Sequence, residues 1–268
     1  MFQNAQRLIY VIVTYKHEPM KELGLIIDLH KNSERQGPGS EEETLSALGF
    51  MNLLSDKKLK VADIGCGSGG STITLAQNLN GQIIAVDLFL EFLGELNEKS
   101  QKYGLTDKIE TLERSMDELP FKNEEFDIIW SEGAIYNIGF ENGIKKWKDY
   151  LRPGGYIAVS EITWITNSRP KEIEEFWTQV YPEIDIASNK MKILENNGYT
   201  IVGYFYLKQD SWVENYYKPM KARFEDFLNR NENSELARKV VEENNKEMDL
   251  YEKFKDYYSY GFYVARKN

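Results

Sequence analysis

Val61-Ala-Asp-Ile-Gly-Cys-Gly-Ser-Gly-Gly70 is the stretch on which the reading of this chain turns. A short apolar run delivers an acid, Asp63, two residues ahead of closely spaced glycines. Without a Cβ the backbone turns tightly there and approaches a ligand closely. Asp63 falls at the carboxyl end of a strand, where open α/β sheets bind their ligands. An acid in that position suits an ammonium group better than a phosphate. The glycines at 65, 67 and 70 also satisfy the dinucleotide pattern G-x-G-x-x-G, so a nicotinamide cofactor competes at this point.

Working outward, the chain alternates strands and helices. Ser40 with Glu43 makes a capping-box signature ahead of Leu45, Leu48 and Met51 at helical spacing. Strand 61–64 leads through the glycine loop to a helix over 71–80. The apolar run 83–86 ends at Asp87, as a strand buried on both faces does. Phe89, Phe92, Leu93 and Leu96 mark an amphipathic helix stopped near Gly104. A weak strand at 108–112 and a strong one at 126–131 follow. Ile144, Trp147 and Leu151 predict a helix ended by Arg152-Pro-Gly-Gly155, which turns into strand 156–161. A helix at 189–196 and a strand at 200–207 complete the series. Such repeated βα units predict a parallel sheet with helices on both faces.

Two segments interrupt the alternation. Residues 163–186 are long for a connection and carry Trp164, Phe176, Trp177 and Tyr181. Residues 211–258 are charged and helical in pattern, with Trp212, Val213, Tyr216, Tyr217 and Met220 on one stripe. Tyr260-Gly-Phe-Tyr-Val-Ala265 then predicts a strand that closes the sheet. The expected division is an N-terminal arm (1–40), a core (41–165) and an aromatic insertion (166–187). The core then continues (188–210), followed by a helical cap (211–257) and the last core strand (258–268).

The 268 residues, 41% of them hydrophobic, suffice for a substantial core, and the net charge of −10 argues against a broad nucleic-acid footprint. Cys66 is the only cysteine, and His17 and His30 are the only histidines. No disulfide and no zinc site is expected, and the composition fits a reducing cytoplasm. Leu8-Ile-Tyr-Val-Ile-Val13 is far shorter than the roughly 20 apolar residues that span a bilayer, and predicts a docking strand or helix. No membrane span is expected elsewhere.

Three further features separate the cofactor readings. Asp87 suits the ribose hydroxyls of either cofactor. Ser115-Met-Asp-Glu-Leu-Pro-Phe121 and the Pro153-Gly-Gly155 turn complete a pattern over roughly residues 60–161. That pattern resembles the class I S-adenosylmethionine-dependent methyltransferases, most of all the ubiquinone- and menaquinone-biosynthesis group. Tyr-x-x-x-Lys occurs as Tyr217/Lys221 and Tyr251/Lys255, but in a stretch where both residues are abundant, so the nicotinamide reading loses. The nucleic-acid methyltransferases are disfavoured by acidity and by a missing Asn/Asp-Pro-Pro-Tyr/Phe signature.

The resemblance implies an α/β Rossmann-like doubly wound sheet of about seven strands, with a helical cap and an N-terminal arm. It implies S-adenosyl-L-methionine as cofactor and in-line methyl transfer to oxygen, nitrogen or carbon of a small-molecule acceptor. Cofactor contacts are expected from Asp63, Gly65, Cys66 and Gly67 in the loop. Asp87 with Leu88 would address the ribose, and Ser115, Met116 and Asp117 the adenine. Ser131 would serve the methionine end, and Arg35 its carboxylate. Asp117 as a plain helix N-terminal acid, and Arg35 as a plain loop arginine, are the competing readings. Cys66 reads as a packing residue rather than a nucleophile. Glu132, Tyr136, His30 and Glu161 are the candidates for a substrate-side acid or base. A cofactor-binding protein without transfer activity stays open, as does a homodimer through the cap or arm.

Overall fold

A computed structural model of the chain describes residues 19–54 and 57–268. The apolar run at 8–13 and His17 lie outside the described residues.

The glycine loop sits where a parallel sheet hands over to its first helix. Strand β1 (Leu59–Ile64) runs into helix α3 (Gly70–Asn78), itself preceded by α1 (Pro19–His30) and α2 (Glu41–Gly49). The alternation continues through β2 (Gly81–Asp87), α4 (Leu90–Lys102), β3 (Ile109–Glu113) and β4 (Phe126–Glu132). Helix α5 (Phe140–Lys148), β5 (Leu151–Trp164), α6 (Lys171–Val180), a two-residue β6 (Asp185–Ile186), α7 (Ala187–Asn196) and β7 (Tyr199–Tyr206) follow. The cap begins with α8 (Gln209–Trp212), a π-helical turn (Val213–Tyr217) and α9 (Lys218–Ala222). It ends with α10 (Phe224–Arg230) and α11 (Glu235–Phe254), and β8 (Tyr258–Lys267) returns to the sheet.

The sheet order is β3-β2-β1-β4-β5-β8-β7, with β6 on the end of β5. β1 to β5 pair in parallel, and β8 enters antiparallel between β5 and β7. The Rossmann-like sheet of about seven strands is therefore present, and the two-residue β6 makes it eight among the described residues.

Side-chain alternation feeds two cores, one on each face. Val61, Ile128, Trp130 and Ala158 pack with Leu75 and Leu96 on one face. Ala62, Ile129, Ile157 and Val159 pack with Ile144, Trp147 and Leu194 on the other. A third core belongs to the cap, where Trp177, Trp212, Phe227 and Tyr251 close over Ile162, Trp164 and Tyr258 at one end of the β5–β8 pair.

One expected boundary is corrected. Helix α5 stops at Lys148, and Leu151 already belongs to β5. Phe126 pairs with Leu151 and Ile128 with Tyr156, so the intervening Arg152-Pro-Gly-Gly155 bulges out of the first turn of the strand. Gly154 takes φ +75° there. The motif is thus a bulge inside a strand, and it still redirects the chain.

Candidate functional site

At the carboxyl ends of β1, β2 and β4 lies a cavity of about 370 Å³. The glycine loop forms its floor. Gly65 has φ +76°, and a Cβ there would come within 2.4 Å of Ala134 Cβ. Gly67 has φ +54°, and a Cβ there would lie 2.2 Å from Gln36 Oε1. Both positions need glycine for backbone and for space. Burial and the neighbouring Asp87 and Asp63 hold the Cys66 thiol well above its ordinary range, which suits packing and not attack.

Asp87 stands on the cavity wall with Leu88 and Phe89. Its Oδ2 accepts from the Gly67 amide at 2.8 Å and its Oδ1 from the Phe89 amide at 3.0 Å. One lone pair on each oxygen is left for a ligand's paired hydroxyls. Ser115, Met116 and Asp117 line the same cavity, and the Ser115 hydroxyl donates to Asp117. Trp147 Nε1 donates to the Met116 carbonyl at 3.2 Å, which fixes that segment on α5.

Asp63 does not line the cavity; it lies fully buried beneath the loop. Ser71 and Thr72 donate to its Oδ2 at 2.9 and 2.6 Å, while Oδ1 has no partner among the described residues. Burial, reinforced by the nearby Glu132, pushes its pKa up to about 7. A buried, unpartnered carboxylate oxygen is an acceptor for a cationic donor.

The segment between α1 and α2 folds over the loop. Gln36 accepts from the Ser68 amide at 2.7 Å and donates to its hydroxyl at 3.0 Å. Arg35 lines the cavity and donates to Glu132 Oε2 at 2.6 Å and Thr44 Oγ1 at 3.1 Å. Glu132 Oε1 accepts from Thr44 at 2.7 Å and from Trp130 Nε1 at 2.9 Å. With both oxygens engaged, Glu132 holds the arm and does not stand free as a base.

Three other expected site residues are placed elsewhere. His30 is buried; its Nδ1 pairs with the Ile26 carbonyl at 2.9 Å and its Nε2 with Tyr216 at 3.2 Å, and it does not line the cavity. Helix α1 carries it under the cap. Ser131 is fully buried in β4, behind the wall. Glu161 is fully buried, its Oε1 3.2 Å from Lys190, and it lines neither this cavity nor its neighbour. Tyr136, by contrast, is on the wall, and burial pushes its phenol up to about 12.

A second, smaller cavity shares Gln36, Gly37, Pro38, Gly133 and Tyr136 with the first. Aromatic side chains of β8, α6 and the cap wall it, and one carboxylate, Glu247, joins them. Sequence reasoning passed over Glu247. The signal was present: it shares the buried stripe of α11 with Val240, Asn244, Tyr251 and Phe254 at helical spacing.

Residues 61–155 match the family model of a methyltransferase domain. The match covers 95 of the chain's 268 residues and marks that stretch as similar to a methyltransferase domain. A sarcosine/dimethylglycine N-methyltransferase of Aphanothece halophytica is 32% identical over 103 residues, which are 38% of this chain and 37% of that protein. The chain thus spans little more than a third of that relative's length. Among solved structures, an S-adenosylmethionine-dependent methyltransferase from Geobacter sulfurreducens with S-adenosyl-L-homocysteine superposes with TM-score 0.78 at 18% identity, over 92% of this chain and 98% of that one. The [4+2]-cyclase SpnF superposes with TM-score 0.69 at 17% identity, over 98% and 96%. The methyltransferase-domain fold therefore extends through the cap, and fold alone does not decide the chemistry.

The residues present fit the cofactor. The glycine floor that a Cβ would fill and the Asp87 carboxylate match close backbone approach and a ribose diol. Among the described residues no helix is long and apolar enough to cross a membrane.

Proposed function

We propose that this protein transfers a methyl group from S-adenosylmethionine to a small-molecule acceptor held in the aromatic cavity. The observation that carries the reading is the wall the two cavities share, with Gly133 and Tyr136 between a cofactor-sized space and an acceptor-sized one. Bound S-adenosylmethionine supplies an electrophilic methyl group on a sulfonium. The chain's own task is to align the acceptor and exclude water, so proximity and orientation supply most of the acceleration. Asp87 would hold the ribose, the segment 115–117 the adenine, and Arg35 the carboxylate of the methionine. Tyr136 stays protonated near neutrality and orients the acceptor as a hydrogen-bond donor.

Calorimetric titration with S-adenosylmethionine, S-adenosylhomocysteine and NAD tests this on wild type and Asp87→Ala. The first two are expected to bind and NAD is not. The substitution should weaken binding by at least about tenfold, as loss of hydrogen bonds to a charged acceptor does. NAD binding alone would sink the reading. Cofactor binding without turnover on any acceptor would favour a binding protein.

A further inference from the structure

The acceptor cavity, about 80 Å³, is walled by Phe176, Trp177, Trp212, Tyr216 and Tyr260, with Glu247 set among them. No lysine, arginine or histidine lines it among the described residues. Glu247 arrives from α11 and among the described residues accepts one hydrogen bond, from Tyr217 at 2.9 Å. A single neutral donor does not replace the hydration of a carboxylate. Aromatic faces carry negative potential, and so does the carboxylate. The cavity therefore attracts a cation twice over and repels an anion, and a neutral hydroxyl forfeits both attractions. Pockets for drug-sized ligands run to roughly 300–1,000 Å³, so this space takes a small head group.

We propose that the aromatic cavity binds the amino group of the acceptor, with Glu247 as its counter-charge, so that the transfer is an N-methylation. This rests on the methyl-transfer reading above. In the step, an alkylammonium gives its proton to the Glu247 carboxylate. The freed nitrogen lone pair forms the new N–C bond as the C–S bond of the donor breaks, and that bond's electron pair stays on sulfur. Burial, with the Glu247 charge adding to it, holds the Tyr136, Tyr216 and Tyr260 phenols up, so the rings facing the amine stay neutral. Burial also raises the Glu247 carboxyl, which makes it a better proton acceptor than an exposed glutamate.

The probe is choline against 3,3-dimethylbutan-1-ol, a neutral molecule of the same shape. Each is titrated into protein saturated with S-adenosylhomocysteine and read by tryptophan fluorescence from Trp177 and Trp212. Choline is expected to bind at least about tenfold more tightly than the alcohol. Glu247→Gln should remove that preference while leaving S-adenosylhomocysteine binding unchanged, which also certifies the variant's fold. Equal binding of the two probes, or a choline preference that survives Glu247→Gln, overturns the proposal. If wild type binds S-adenosylhomocysteine but shows no choline preference, the amine site alone fails. If it shows the preference but binds no S-adenosylhomocysteine, the methyl-transfer reading fails and the amine site stands.

Discussion

Asp63 is buried at the point where the loop leaves β1, and burial lifts its pKa from 3.8 to about 7. The folded protein thus keeps a proton that the unfolded chain has released. Asp63 contributes its full stability below the unfolded value and loses it as pH rises through about 7. Without cofactor, the wild type should lose stability across that window by up to on the order of 4 kcal/mol. Asp63→Asn, which keeps an acceptor for Ser71 and Thr72, should flatten the curve in urea titrations at stepped pH. An unchanged slope would show that other groups set it. Gly67→Ala should cost about 1–3 kcal/mol from its left-handed backbone, plus the clash with Gln36. Adding Gln36→Ala should restore part of the loss in thermal melts, because space is recovered and φ is not. The glycine requirement and Asp87 were legible because a motif at fixed spacing reports local backbone geometry. Glu247 was not, because a glutamate in a charged helix reads as solvated until the residues one turn either side are known to be buried.

At the scale of elements, the arm between α1 and α2 is tied to β4 through Arg35, Thr44 and Glu132. The Arg35 and Glu132 side chains are 13% and 9% exposed, so removing one partner strands a poorly hydrated charge. Glu132→Gln should therefore raise the KM for S-adenosylmethionine and lower stability. Kinetics on the acidic side should keep the wild-type limb in kcat/KM, since Glu132 is not the base. Disappearance of that limb would restore the general-base role. The helices and strands around the site were readable from apolar periodicity, yet Leu151 misled. It continues the spacing of Ile144 and Trp147, although the chain has already left the helix. Pro153-Gly-Gly155 signals a change of direction equally well as a turn or as a bulge. Pairing with β4 makes it the latter, and pairing is not a local property.

Across the whole molecule, the cap is fastened to the core through Glu43. Ser40 accepts from the Glu43 amide at 3.1 Å, half of the expected capping box. The Glu43 carboxylate, 3% exposed with its residue, reaches past the helix to accept from the Lys208 amide at 2.7 Å and the Ser211 hydroxyl at 2.6 Å. Glu43→Ala should therefore speed hydrogen exchange in the cap at 209–254 more than in the sheet, with local destabilisation of about 1–3 kcal/mol. Uniform acceleration would place the residue's role in α2 alone. The order of core elements could be read from the βα alternation, but this fastening joins residues far apart in sequence and leaves no periodic trace. The position of β8 has a consequence for synthesis. Among the described residues β7 holds to the sheet only through β8, and β5 has no other neighbour on that side. A ribosome that has released every cap helix has still delivered a sheet with two bare edges, each open to pairing with another nascent chain. The synthesis of β8, and not of the glycine loop, sets when these edges are covered against other copies.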